Sequence, residues 1–276
     1  MILSATTTGE GPDVVLLHGL FGAGRNLGVI ARGLAPYFRV TALDLRNHGV
    51  SGHAPDMRYA TMAADVAVTM AALGIPRAAV IGHSMGGKTA MMLALRHPAL
   101  VARLVVLDIA PLAYDHEYDG FIAAMRGLAL APDLTRQGAD AALSDAVPDP
   151  ALRGFLLHNL ILGAAPHWRL GLEEIAAAMD DLVGWPDDTP SSYDGGASYD
   201  GGASYDGGAS YDGGALFLRG ETSAYVPAAA RTAIERWFPN ATIETIAGTG
   251  HWLHAEKPAA VVEALLSFLR DDTAHS

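Results

Sequence analysis

The pentapeptide Gly82-His83-Ser84-Met85-Gly86 constrains this chain more than any other stretch. It fits G-x-S-x-G, and it stands between an apolar run at residues 78–81 and a helical pattern over residues 85–96. A serine on a tight strand-to-helix turn, flanked by small residues, is lifted clear of the backbone with a helix N-terminus beneath it. Gly86, Gly87 and Ala90 would let that helix approach a sheet closely. The plain alternative is a glycine-rich turn around a buried serine. Partners elsewhere in the chain weigh against it.

The rest of the chain has the rhythm that such a turn needs. Short apolar runs bounded by Gly, Asp or Pro predict buried strands at 14–17, 40–43, 79–82, 104–107, 216–218 and 243–246. Helical patterns lie at 26–35, 62–73, 85–96, 228–237 and 258–270. Near-continuous apolar strands alternating with helices predict an α/β fold, a mostly parallel sheet with helices on both faces. Residues 111–190 break the rhythm: they hold no strand-like run, but helical stretches at 121–130, 152–162 and 172–182. The expected organisation is therefore a core of residues 1–110 and 215–276, with a helical cap at 111–191 inserted before the later strands. Such an insertion lies over the strand ends where open sheets of this kind bind ligands.

Residues 192–215 read SYDGGA four times in succession and hold eight of the 31 glycines. The hexad lacks the bulky aliphatic position that a β-helix needs, and one Asp per six residues is thin for calcium repeats. Gly-rich, weakly hydrophobic sequence buries too little apolar surface to offset chain entropy, so a flexible loop is predicted. A single copy would suit the core; four look like tandem expansion.

Charge narrows the partners. Thirty acidic against 18 basic residues leave a net charge of -12, a field that repels nucleic acid and anionic membrane alike. Neither is expected as a partner. No apolar run approaches the ~20 residues of a membrane-spanning helix. The first residues carry neither a basic nor an apolar leader pattern, and a cytoplasmic setting is expected. The 276 residues contain no cysteine, which removes a thiol nucleophile and Cys-ligated zinc. Neither HExxH, a P-loop nor a dinucleotide fingerprint occurs, and the histidines lack metal-ligand spacing. No cofactor is expected.

A serine nucleophile needs a base, an acid and an oxyanion site. Gly250-His251-Trp252-Leu253-His254 follows the last predicted strand, and the order Ser, acid, His is that of this architecture. His251 is the expected base, because Gly248 and Gly250 let the loop bend toward the strand ends; His254 reads as a packed histidine. His18-Gly19-Leu20-Phe21-Gly22 follows the first predicted buried strand. Its Leu20 amide, with Phe21 as fallback, and the Met85 amide are the expected oxyanion donors. His18 reads as ordering this loop, and His83 should point away from Ser84. The acid has two candidates. The slot after the strand at 216–218 reads Gly220-Glu221-Thr222-Ser223, with serine where a carboxylate would stand. Asp108, at the end of the neighbouring strand, is favoured, and Glu221 is the alternative acid. The polar turn Asp44-Leu45-Arg46-Asn47-His48-Gly49 reads as a structural element ordering the oxyanion loop.

Together HGLFG at 18–22, DLRNHG at 44–49, GHSMGGK at 82–88, LDIAP at 107–111 and GTGHWLHAEKP at 248–258 resemble the α/β-hydrolase superfamily. The resemblance spans roughly 13–112 and 215–270, and it extends to small bacterial carboxylesterases of the YbfF type and their mitochondrial abhydrolase relatives. In that family the acid is the Asp of a D-I-x-P segment, which implies Asp108. It also implies a helical cap and hydrolysis of short- to medium-chain acyl esters or thioesters. The expectation is a serine carboxylesterase acting on small-molecule esters through Ser84, His251 and Asp108, as a monomer or homodimer. A thioesterase, lactonase or cofactor-free perhydrolase would use the same residues; a ligand-binding receptor on a hydrolase scaffold is the non-enzymatic alternative.

Overall fold

A computed structural model describes residues 1–115, 118–185 and 210–270. The chain opens with β1 (Ser4–Thr8), β2 (Asp13–Leu17), α1 (Gly28–Leu34), β3 (Arg39–Asp44), α2 (Tyr59–Ala72), β4 (Ala78–His83), α3 (Met85–Arg96) and β5 (Val101–Leu107). A mainly helical stretch follows: α4 (Tyr118–Gly127), α5 (Arg136–Leu143), α6 (Pro150–Leu157), a ribbon of β6 (Leu160–Ile161) and β7 (His167–Trp168), α7 (Leu172–Ala177) and α8 (Met179–Val183). The chain then returns through β8 (Ala215–Gly220), α9 (Ala230–Trp237), β9 (Ala241–Ile246), α10 (Leu253–Glu256) and α11 (Pro258–Arg270).

The main sheet runs β1-β3-β2-β4-β5-β8-β9, parallel throughout except for antiparallel β1. Its central strands are apolar on both faces, because each face carries its own helical layer. Val14, Leu16, Ile81, Val105, Leu107, Leu216 and Leu218 pack with α1 and α11 on one side. Val15, Leu17, Val80, Leu104, Val106 and Phe217 pack on the other with residues of α2 and α3. The chain steps from β2 outward to β3, then crosses back to β4 on the other flank. That reversal opens a crevice at the strand C-termini, where open α/β sheets hold ligands.

All six predicted strands are present. The sequence missed β1, whose SATTT has no apolar stripe and is largely exposed; β-branched pairing and a 3.0 Å hydroxyl contact between Thr7 and Thr41 hold it on β3. It also missed the ribbon inside the helical stretch. Two-residue strands are too short to show a period, and the helix expected through 162 ends at Leu157. The single helix expected over 172–182 is two short helices meeting at Ala178. Caps set other starts as the sequence allows: Asp149 accepts from the Ala151 amide at 2.8 Å with Pro150 in the first turn, and Thr135 accepts from Gly138 at 3.0 Å.

The expectation of a flexible loop over 192–215 needs correction at its end. The first three hexads, 192–209, lie outside the described residues. The fourth is packed. Tyr211 is buried at 3% exposure, with its ring edge-on to Phe238 and its hydroxyl reaching the Val101 carbonyl at 3.3 Å. Its amide donates to the Trp237 carbonyl at 2.9 Å, Gly214 accepts from Leu104 at 3.0 Å, and Ala215 already belongs to β8. The buried aromatic ring and the adjoining strand supply what the hexad composition alone does not. Tyr211→Ala is expected to cost about 3 kcal/mol, as large buried aromatics do. That corresponds to roughly 6–12 °C of melting temperature for a chain of this size. Calorimetry returning an unchanged transition would show that the docked tyrosine contributes nothing.

Candidate active site

Four non-glycine residues among those described have positive φ: Phe21 (60°), Asn47 (63°), Ser84 (52°) and Asp108 (53°). Each stands within four residues of the C-terminal end of a parallel strand, β2, β3, β4 and β5 in turn. Such backbone costs of order 1–3 kcal/mol per residue and persists only where the surroundings impose it. At Ser84 the imposition is steric. A Cβ on Gly82 would fall on the Gly86 carbonyl oxygen, and one on Gly86 would fall on that of Leu17 and 2.5 Å from that of His18. Only glycine lets β4, the turn and α3 come this close. The Ser84 amide donates to the Leu107 carbonyl at 3.1 Å, and the Asp108 amide to the Leu218 carbonyl at 2.8 Å, so each turn is anchored to the next strand.

Asp108 is fully buried, and its carboxylate is met on every side. Oδ1 accepts from the Gly220 amide at 2.8 Å; Oδ2 accepts from the Ser223 hydroxyl and from His251 Nδ1, the latter at 2.8 Å. A carboxylate only accepts, so His251 Nδ1 is the donor in this bond. Ser223, the serine in the slot where a carboxylate would stand, thus supports Asp108 instead of replacing it. Glu221 is elsewhere: its Oε2 accepts from the Gly248 amide at 2.7 Å. That bond fixes the loop leading to His251 and leaves the alternative acid away from the imidazole.

The other histidines divide as their surroundings dictate. His18 Nδ1 donates to the Gly19 carbonyl (2.8 Å) and Nε2 accepts from the Leu45 amide (3.0 Å); burial lowers its pKa to about 4. His48 repeats the pattern, with Nδ1 to the Arg46 carbonyl (2.8 Å), Nε2 from the Phe21 amide (3.1 Å), and burial lowering its pKa to about 3. Two neutral rings, 5.1 Å apart, therefore staple the HGLFG loop to the DLRNHG turn. With the Phe21 amide engaged by His48, the fallback donor is occupied. Leu20 and Met85 line the same cavity as Ser84. The turn itself is held by Asp44, which accepts from Gly24 (2.7 Å) and Val50 (2.9 Å), and by the buried Arg46–Asp65 ion pair at 2.6 Å. His83 meets the His251 carbonyl through Nε2 at 2.9 Å, and burial pushes its pKa well down. His254 packs against His83 with ring centroids 4.4 Å apart, its pKa lowered by burial to about 4.

Three residues escaped the sequence. The ring of Tyr225 stacks on His251 at 4.0 Å and lines the Ser84 cavity. Asn159 donates from the helical stretch to the Phe21 carbonyl at 2.7 Å. Lys88, one helical turn beyond Ser84, is 1% exposed and faces the same cavity. None has a local signal, since each depends on contacts far away in the chain.

The chain has counterparts among known proteins. Residues 12–145 match the α/β hydrolase fold family. The chain is 37% identical to mouse sn-1-specific diacylglycerol lipase ABHD11 over 94% of this chain and 81% of that protein. It is 36% identical to Escherichia coli esterase YbfF over 94% and 93% of the two. Among solved structures, a marine microorganism esterase superposes with a TM-score of 0.86 at 33% identity, covering 97% of this chain and 99% of its own. With motifs, sheet order and whole-length relatives in accord, the chain belongs to the α/β-hydrolase family.

Proposed function

We propose that this protein is a serine carboxylesterase acting on short- to medium-chain acyl esters through Ser84, His251 and Asp108. The observation that carries the reading is the Asp108–His251 couple, with Tyr225 stacked on His251 and lining the cavity that contains the strained Ser84. The couple holds the imidazole in the tautomer that leaves Nε2 free to accept a proton. The relatives named esterase and lipase support carboxylic ester hydrolysis as the reaction class.

In the reaction Ser84 Oγ attacks the ester carbonyl while His251 Nε2 takes its proton. Asp108 stabilises the resulting imidazolium without taking the proton itself. The Leu20 and Met85 amides receive the oxyanion of the tetrahedral intermediate. His251 then protonates the departing alcohol, leaving an acyl-enzyme; water repeats the two steps and releases the acid. The stretch from α4 to α8 serves as a cap over the core, and its Met179, Leu182 and Val183 line the cavity. No helix among the described residues is long and apolar enough to cross a membrane.

Ser84→Ala is expected to abolish turnover of p-nitrophenyl esters while leaving the melting temperature in place; retained turnover would rule out the mechanism. Asp108→Asn is expected to lower kcat by about 10⁴, as loss of the acid of a triad does. Glu221→Gln should change kcat by only a few fold, and the reverse ranking would move the acid to Glu221. An acyl series offered as both oxygen esters and thioesters identifies the preferred substrate.

A further inference from the structure

Among the described residues, Lys88 is the largest of the fully buried side chains and has no carboxylate partner. Its Nζ donates to the carbonyls of Val183 (2.9 Å) and Gly184 (2.6 Å), and it lies over the rings of Tyr114 (4.8 Å) and Tyr59 (5.5 Å). The two carbonyls belong to the last turn of α8 and its C-cap, where a helix leaves acceptors unsatisfied and its dipole is negative. Two further groups meet the same turn: the Tyr59 hydroxyl donates to the Leu182 carbonyl at 2.5 Å, and the Tyr114 amide to that of Val183 at 3.1 Å. Burial costs the ammonium part of its charge preference, lowering its pKa to about 7. These contacts are its compensation.

The position of this clamp is what gives it meaning. Lys88 follows Ser84 by four residues, and its amide donates to the Ser84 carbonyl at 3.0 Å, so the two share one face of α3. Met179, Leu182 and Val183 form the wall of the cavity that Ser84 lines. One side chain thus connects the helix carrying Ser84 to the wall facing it. We infer that Lys88 is a positioning residue that sets the width of the acyl pocket by pinning the end of α8, and so sets which acyl groups the enzyme accepts.

This rests on the esterase reading, and the experiment keeps the two apart because the unaltered protein is assayed in parallel. The readout is the ratio of kcat/KM for p-nitrophenyl octanoate to that for p-nitrophenyl acetate. Lys88→Met keeps the stem but removes the donors, which frees the wall. The ratio should rise at least tenfold, carried by a lower KM for octanoate. Tyr59→Phe removes a second, independent bond to the same turn and should move the ratio in the same direction by about threefold. It tests the inference even where Lys88→Met fails to fold. An unchanged ratio in the folded variants would overturn the inference, as would a uniform fall in kcat on both esters, which would assign Lys88 to the chemistry. No turnover of any ester by the unaltered protein would instead sink the esterase reading.

Discussion

A carboxylate with no access to water must have its lone pairs met by protein, or it costs the fold several kcal/mol. Asp108 is that group here. The backbone of Gly220 at the end of β8, the hydroxyl of Ser223 just beyond it and the imidazole of His251 beyond β9 all converge on it. Two separate returns of the chain, after β8 and after β9, are thereby brought to the end of β5. Each bond to the charged acceptor is of the stronger, charge-assisted kind. The positive φ of Asp108 is the local cost of aiming the carboxyl across neighbouring strands.

The same economy governs the opposite side of the crevice. His18 and His48 are ordinarily titratable near neutrality, yet burial keeps both uncharged, and each offers one donor and one acceptor to the backbone. In that state they bind two loops that would otherwise leave amides and carbonyls unpaired away from solvent. Strain at Phe21 and Asn47 is therefore held in place by hydrogen bonds, as strain at Ser84 is held by glycine contacts. Rigid loops on either side of a serine suit chemistry that depends on donors fixed before the reaction begins.

Much of this was legible in the chain, and the reasons are physical. Strands buried on both faces are continuous apolar runs, so β2 to β5 stand out; β1, an exposed edge of threonines, does not. The elbow motif is local, and so it announced Ser84. The acid is a matter of convergence across 112 to 143 positions of sequence; the residues alone favoured Asp108 but kept Glu221 as the alternative, and the family resemblance pointed to the first as well. The carboxylate of Glu221 has the right chemistry but is engaged by a backbone amide. Lys88 was invisible for the opposite reason: a lysine in a helix reads as surface, and the carbonyls that help make its burial tolerable lie some 95 residues away.

The docked final hexad has a consequence for how this chain can change in length. SYDGGA occurs four times without variation, so gaining or losing a whole copy leaves the same six residues entering β8. The buried Tyr211, the hydrogen bond from its amide to the Trp237 carbonyl and the first ladder pairs of the strand would be rebuilt by whichever copy came last. Insertions in multiples of six are invisible to the sheet, whereas a single-residue slip would put another side chain against Phe238. The strand's register is insulated from copy number, and length at this junction is a variable the core does not have to feel.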